Sequence, residues 1–134
     1  MSEQLGLKDC KSVITPGVSS LVAQSKDDDE DNDESEPLSP SDASLYRAIA
    51  ARCNYLQPDR PDIQYAVKEC CRLMQNPTQR AWETLKRIGR YLKGRPRLIW
   101  QYAWQAEVSV IDAHCDANWA GCRRSRKSTS GGAL

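Results

Sequence analysis

The chain has 134 residues, of which 40% are apolar, and a mean hydropathy of −0.68. These values predict one modest soluble domain with a polar appendage, and the length excludes a complete polymerase. The charges are placed unevenly along the chain. Residues 1–45 hold three bases and eleven acids, a net charge of −8, whereas residues 46–134 hold sixteen bases and seven acids, a net charge of +9.

No apolar run approaches the roughly 18–20 residues that span a bilayer, and Met1–Lys11 lacks the apolar centre of a signal peptide. We therefore expect an intracellular protein, cytoplasmic or nuclear, that is not secreted and has no membrane partner. Because such compartments are reducing, the six cysteines are expected to be thiols.

Eight of the ten residues from Asp27 to Glu36 are acidic. Such a run buries too little apolar surface to offset the entropy lost on ordering, so residues 1–40 are expected to form a mostly disordered segment. The acidic run is interpreted either as a solvated spacer or as a competitor of nucleic acid for the basic part of the chain.

Three helix signals follow. In the first, Ser39 is the predicted cap, Pro40 the first helical residue, and the helix ends before Pro58. The second is predicted over Pro61–Met74, where apolar residues recur on one face.

The third helix signal has Asn76 as the predicted cap, Pro77 just inside, and Gly94 as a left-handed stop. The short connections between the three helices predict a compact three-helix bundle over residues 41–95.

Beyond the helices the apolar period changes, and Arg97–Trp104 and Glu107–Cys115 are predicted strands, with a third strand beginning at Gly131. The fold class is therefore α+β. Because the chain stops as a strand begins, residues 96–134 are expected to be an incomplete β segment, and the chain a fragment.

Two groups of residues are candidates for binding or chemistry. On the third helix Lys86, Arg87, Arg90 and Lys93 form a row of cations, which is interpreted either as a solvated helix face or as a contact for nucleic-acid phosphates. A polar ladder occupies alternate positions of the predicted second strand and comprises Asp112, His114, Asp116 and Asn118. It is interpreted either as the solvated face of a sheet or as part of a Mg²⁺ site.

A second basic cluster follows the polar ladder and comprises Arg123, Arg124, Arg126 and Lys127. It lacks the residue order of a phosphate-binding P-loop. A zinc site at His114, Cys115 and Cys122 is also excluded, because the ligands are not paired at finger spacing.

The segment Tyr46–Gly94, YRAIAARCNYLQPDRPDIQYAVKECCRLMQNPTQRAWETLKRIGRYLKG, closely resembles copia-type LTR-retrotransposon polyproteins, in the stretch that joins the reverse transcriptase palm to the RNase H domain. The later run HCDANWAGCRRSRKSTSGG resembles the opening RNase H strand of that family, and LKDCKSVITPGV resembles its CKPVSTP element. The resemblance covers nearly the whole chain apart from the acidic run.

This resemblance implies a thumb-like bundle that holds an RNA/DNA or DNA duplex, with the third-helix cations on phosphates, followed by the first strands of a truncated RNase H-like sheet. It also implies that Asp116 is the first catalytic, metal-binding carboxylate of an RNase H centre that uses two Mg²⁺ ions in the complete parent enzyme. The missing parts of the polyprotein would be its partners.

The chain has Asn118 where the family usually has a second Asp, at a position that is not assigned to the catalytic set. More important, it lacks the later RNase H carboxylates and the paired aspartates of the polymerase. We therefore expect no Mg²⁺ binding, no polymerase activity and no nuclease activity from the chain by itself, and only non-specific binding of duplexes. The alternative is a small helical protein-interaction module that uses its acidic linker or a groove of the bundle.

Overall fold

A computed structural model describes residues 5–17, 35–101, 103–104, 110–120 and 126–133. These residues fall into two units, one formed by residues 5–17 and 35–99 and the other by the described part of residues 100–133. The described residues form three α-helices and a two-stranded antiparallel sheet, which confirms the α+β class.

Helix α1 spans Pro40–Tyr55 and begins as predicted. The hydroxyl of Ser39 accepts a hydrogen bond from the backbone N–H of Asp42 at 3.1 Å and donates one to the Asp42 carboxylate at 2.8 Å. Pro40 costs nothing at the first helical position, because its missing N–H would have no partner inside the helix. The local signals at this end of the helix are therefore sufficient to place it.

The second helical segment begins with a 3₁₀ turn, Pro61–Ile63, and continues as helix α2, Gln64–Arg72. The helix ends two residues before the predicted Met74, because the N–H of Leu73 bonds to the carbonyls of Cys70 and Cys71 and tightens the last turn.

Helix α3 spans Gln79–Gly94, and the predicted cap at Asn76 is wrong. The cap is Thr78, whose hydroxyl accepts a hydrogen bond from the N–H of Ala81 at 3.4 Å. Pro77 lies outside the helix, because its carbonyl accepts the N–H of Leu38 at 3.0 Å in an antiparallel bridge between Pro37 and Thr78. This pairing with the residues before α1 delays the start of α3.

The prediction that Gly94 ends the helix in a left-handed conformation is also wrong. Gly94 is the last helical residue, and Arg95 caps the helix with a φ of −133°. Glycine is required there for another reason: a Cβ atom on Gly94 would lie 2.6 Å from the Cβ of Ser12. The N-terminal segment, residues 5–17, passes directly over this end of α3.

The core of the first unit lies where the three helices and the N-terminal segment meet. Tyr46 is fully buried in it, donates a hydrogen bond to the carbonyl of Cys70 at 2.8 Å, and lies 6.4 Å from the ring of Trp82. The other large, fully buried side chains are Ile49, Cys53, Ile63, Val67, Cys70, Leu85 and Ile88.

The second unit contains strands β1, His114–Asn118, and β2, Thr129–Ala133, paired so that Asp116 faces Gly131. The predicted strand at Arg97–Trp104 is wrong for its described residues, none of which is in a strand. The sequence favours a strand there through residues such as Ile99 and Trp104, but strand propensity depends on packing, and these side chains are 88% and 92% exposed.

The remaining strand predictions are corrected in their bounds. In the predicted strand Glu107–Cys115, residues 107–109 lie outside the described residues and residues 110–113 are not in a strand. The strand begins instead at His114, opposite the end of β2, so that Asp112 of the predicted polar ladder precedes it. The third predicted strand exists as β2 and begins at Thr129, two residues before Gly131.

Candidate nucleic-acid interface

Helix α3 buries one side and presents its cations on another. Ala81, Leu85 and Ile88 are buried in the bundle core. The predicted cations Lys86, Arg87, Arg90 and Lys93 are exposed or half-buried. Lys86 and Arg90 are one turn apart, about 6 Å along the helix axis. The row predicted from the sequence therefore exists as one side of a helix.

The cation at the end of the row, Lys93, is engaged by the N-terminal segment. Its ammonium group donates hydrogen bonds to three backbone carbonyls: those of Leu7 at 3.3 Å, Lys8 at 2.6 Å and Cys10 at 2.9 Å. An ammonium group has three N–H donors, so these contacts use all of them. Lys93 is therefore an anchor of the segment.

Two arginines of α3 continue this contact. The Nε of Arg90 donates to the carbonyl of Lys11 at 2.8 Å, and the guanidinium of Arg87 donates from Nη2 to the hydroxyl of Thr15 at 2.9 Å. The Nε of Arg87 is buried and has no hydrogen-bond partner among the described residues. Three of the four predicted cations thus bind the N-terminal segment.

The apolar side of the N-terminal segment packs against a glycine of α3. Leu5 and Leu7 are only 4% and 5% exposed, and a Cβ atom on Gly89 would lie 2.6 Å from Cδ1 of Leu7 and 3.1 Å from Cδ1 of Leu5. The segment is therefore fixed by buried leucines as well as by polar contacts, and two glycines of α3 leave space for it.

The N-terminal segment and α3 enclose a shallow groove of about 620 Å³ between them. Its lining residues are Leu7, Cys10, Lys11, Glu83, Lys86, Arg87 and Arg90. Four of these carry a positive charge and one carries a negative charge. Glu83 pairs with Lys86 at 3.0 Å, and the Lys86 side chain remains 31% exposed. The residues that line the groove therefore carry a net positive charge, while most of the surface they expose in it is apolar.

Lys11 is a lining residue that the sequence analysis did not identify. It precedes the acidic run, in a region expected to be mostly disordered. The sequence signals for its position are weak and consist of two leucines separated by Gly6. In the structure Gly6 has a φ of +65°. Only the docking of this segment on α3 places Lys11 beside the helix cations.

The second predicted basic cluster belongs to the other unit. Arg126 and Lys127 are exposed there, immediately before β2. Arg123 and Arg124 lie outside the described residues.

Asp116 lies in the middle of β1 and is exposed. One of its carboxylate oxygens, Oδ1, accepts a hydrogen bond from the N–H of Ala117 at 2.8 Å. His114 and Asn118 occupy alternate positions of the same strand, and the amide oxygen of Asn118 accepts a hydrogen bond from the N–H of Thr129.

The described residues do not fit a two-metal centre. Within the described ranges, no group of three or more His, Cys, Asp or Glu residues is placed to hold a metal ion. Two Mg²⁺ ions need several oxygen ligands, and Asp116 supplies a single carboxylate.

Among the described residues, the titratable groups with shifted pKa values belong to the bundle. Asp62 accepts two hydrogen bonds from Arg60, at 2.9 and 2.8 Å, which lower the pKa of its carboxyl group. Burial raises the pKa of the thiols of Cys53 and Cys70 to about 11 and about 12. These groups stabilise the bundle and offer no reactive centre.

None of the helices in the described ranges combines the length and apolarity that crossing a bilayer requires.

Several curated proteins are similar to this chain. An uncharacterized mitochondrial protein of Arabidopsis thaliana, AtMg00810, is 37% identical over 131 residues, which are 94% of this chain and 48% of that protein. The retrovirus-related Pol polyprotein from transposon RE1 of the same plant is 37% identical over 91 residues, 68% of this chain and 6% of the polyprotein. The corresponding polyprotein from transposon TNT 1-94 of Nicotiana tabacum is 29% identical over 134 residues, 96% of this chain and 9% of the polyprotein.

No protein-family model matches the chain, and no solved structure matches it. The chain spans about half of the Arabidopsis mitochondrial protein and less than a tenth of either polyprotein. The chain is therefore homologous to a segment of retrotransposon Pol polyproteins, which confirms its resemblance to a copia-type retrotransposon polyprotein.

Proposed function

We propose that the bundle binds nucleic-acid duplexes without sequence preference, through the cationic groove between α3 and the N-terminal segment. The observation that carries this proposal is the lining of the groove, where four cations face a single carboxylate. The surplus of positive charge in residues 46–134, a net +9, acts in the same direction at longer range.

The homology supports this choice of partner. Pol polyproteins of transposons are relatives of the chain, and reverse transcriptase and RNase H are plausible parts of such proteins. Within this proposal, residues 41–95 are the thumb-like part that holds a template–primer duplex. Residues 96–134 are the opening of an RNase H-like sheet, and the missing parts of the polyprotein are the protein partners. An intracellular location is part of the proposal, and the five cysteines within the described ranges are free thiols.

The proposal includes no catalytic step by this chain alone. Asp116 is proposed as the first RNase H carboxylate of a complete parent enzyme, in which Mg²⁺ would stabilise the attacking and leaving oxygens. Because the described residues offer one carboxylate there, we expect the isolated chain to leave an RNA/DNA hybrid intact in the presence of Mg²⁺.

Fluorescence titration of an RNA/DNA hybrid at several salt concentrations tests the proposed binding. Non-specific contacts with phosphates give dissociation constants of about 10⁻⁴ to 10⁻⁶ M at physiological salt, and affinity that falls as salt rises. The variant Lys86→Ala should lower the slope of log K against log salt by about 0.9, the contribution of one phosphate contact.

The matched control is Arg72→Ala. Arg72 lies on α2 and forms an i,i+3 pair with Glu69 at 3.4 Å, as Lys86 does with Glu83 at 3.0 Å. The control removes the same charge from another helix and should leave the slope unchanged. Equal effects of the two variants would indicate attraction by net charge alone, and binding that does not depend on salt would exclude phosphate contacts.

A further inference from the structure

We infer that the N-terminal segment forms one wall of the duplex-binding groove, and that Lys11 is a phosphate-contacting residue held in place by α3. This inference rests on the proposed function and adds to it a second structural element and a further binding residue. Neither was identified in the sequence, where the predicted phosphate contacts lie on α3 and after β1.

The position of Lys11 is fixed by contacts on both sides of it. The preceding carbonyls of Leu7, Lys8 and Cys10 are bound by Lys93, and the hydroxyl of Thr15 is bound by Arg87. Lys11 itself gives its backbone carbonyl to Arg90 at 2.8 Å. A segment anchored in this way presents its side chains from a defined backbone.

The side chain of Lys11 is available to a ligand. Its backbone carbonyl contacts Arg90, while the residue as a whole is exposed and lines the groove. The backbone of Lys11 therefore meets α3, and its side chain is accessible to a ligand in the groove. Lys93 has the opposite role, because all three of its ammonium donors are used within the protein.

The charges that line the groove favour an anionic ligand. Docking the segment brings Lys11 beside Lys86, Arg87 and Arg90, with only Glu83 as an acidic lining residue. Like charges held close together repel, which offsets part of the stabilisation that the buried leucines and the hydrogen bonds give to docking. Each strand of a duplex supplies one phosphate charge about every 3.4 Å along the helix axis, and these charges would relieve the repulsion.

The chemical class of the ligand follows from this lining. The groove is shallow, and its cations are distributed along a helix and the N-terminal segment. Such a surface suits an extended polyanion better than a small anion enclosed on all sides. The segment and α3 together would contact phosphates from two sides of the groove.

The experiment compares variants of the full chain in hybrid titrations across 50–200 mM salt. We expect Lys11→Ala to reduce the loss of affinity over this range by about 3.5-fold, which corresponds to a slope change of about 0.9. Lys86→Ala should give a similar reduction and Arg72→Ala none.

A second set of variants removes the wall without removing its charge. Gly94→Ala places a methyl group where Ser12 lies, and Leu5→Asn places an uncharged amide in the core, away from the residues that line the groove. Both variants should undock the segment, which faster hydrogen exchange of residues 5–17 with unchanged protection of α1 and α2 would show. In an undocked background, the further change Lys11→Ala should have little effect on the slope.

The outcomes separate this inference from the proposed function. If the unaltered chain shows no salt-dependent binding, both are wrong. If Lys86→Ala lowers the slope and Lys11→Ala does not, the duplex contacts α3 without the segment, and only the inference is wrong. Tighter binding after undocking by Gly94→Ala would also overturn it, because the segment would then cover the α3 cations.

Discussion

Tyr91 donates a hydrogen bond to the carboxylate of Asp62 at 2.7 Å and thereby connects the last turns of α3 to the 3₁₀ turn before α2. The same carboxylate forms an ion pair with Arg60 at 2.8 Å, and the Arg60 guanidinium lies 5.9 Å from the centre of the Tyr91 ring. Arg60 is 9% exposed, so its charge depends on Asp62 for compensation. These three residues hold the bundle together at the end of α3 near Lys93.

The ion pair predicts a loss of stability in acid. The hydrogen bonds from Arg60 and then Tyr91 lower the pKa of Asp62 below its value of about 3.9 in the unfolded chain. A group with a lowered pKa stabilises the fold fully above its unfolded pKa, and this stabilisation is lost as the pH falls through the folded pKa. Urea unfolding between pH 6 and pH 2 should show this decline, and the variant Asp62→Asn should show a smaller one.

The hydrogen bond from Tyr91 to Asp62 also predicts a loss of stability that can be measured at neutral pH. Removing its hydroxyl in Tyr91→Phe should lower the free energy of unfolding by about 1.5–3 kcal/mol, the usual range for a hydrogen bond to a charged group. Tyr65→Phe is the control, since Tyr65 is 54% exposed and should change stability by less than about 0.5 kcal/mol. Equal losses in the two variants would contradict the role of the Tyr91–Asp62 hydrogen bond.

The anchoring of the N-terminal segment by Lys93 can be tested separately from the packing of its leucines against Gly89. Lys93→Met keeps much of the aliphatic length but leaves the carbonyls of Leu7, Lys8 and Cys10 without their donor. We expect amide protection in residues 5–17 to fall several-fold, since a hydrogen bond contributes about 0.5–1.5 kcal/mol net and the exposed carbonyls of Lys8 and Cys10 can bond to water instead. Lys86→Met removes the neighbouring charge without touching those carbonyls, and protection of the segment should then be retained.

The cap of α1 predicts a local stability effect. Ser39→Ala removes the hydroxyl that accepts the N–H of Asp42, and should lower the free energy of unfolding by about 1 kcal/mol. Ser44→Ala, an exposed position within the same helix, is the control and should be neutral or slightly stabilising. A thermal unfolding series that ranks the two variants in the reverse order would contradict the capping interaction.

The acidic run predicts an effect on binding. Replacing the seven acids of residues 27–34 by Asn and Gln should tighten binding of the hybrid at low salt if the run competes with phosphates for the cationic groove. Glu36 is left unchanged, so that the substitutions stop short of the residue whose backbone carbonyl accepts the N–H of Gln79 at 3.0 Å. Unchanged affinity at 50 mM salt would favour the alternative of a solvated spacer. A basic protein partner, in contrast, would bind the altered chain more weakly.

The parts of the fold that the sequence predicts well are those governed by neighbouring residues. Ser39 and Pro40 specify the start of α1 through local hydrogen bonding and a restricted φ, and the structure agrees. Asn76 and Pro77 form an equally good local signal, but the bridge to Pro37 overrides it. That contact joins residues about forty positions apart, and no pattern near α3 indicates it.

The cationic side of α3 could be predicted from helical spacing, whereas the other wall of the groove could not. The position of Lys11 depends on the burial of Leu5 and Leu7 against Gly89, which a local pattern of two leucines does not reveal. In a similar way, Gly94 stands at a helix end, where a left-handed conformation is common, yet its function is to admit Ser12. Lys11 was not identified and Gly94 was predicted wrongly for the same reason: the docked segment is remote in sequence from α3.

Burial of Cys53 and Cys70 has a practical consequence for following the motions of the bundle. With thiol pKa values of about 11 and about 12, these side chains are almost entirely protonated at neutral pH and are shielded from reagents. Cys115 is exposed on β1 and reacts without any opening of the bundle. Alkylation of Cys53, resolved by peptide mass, therefore records how often the bundle opens around α1, with Cys115 as the reference for the reactivity of the reagent.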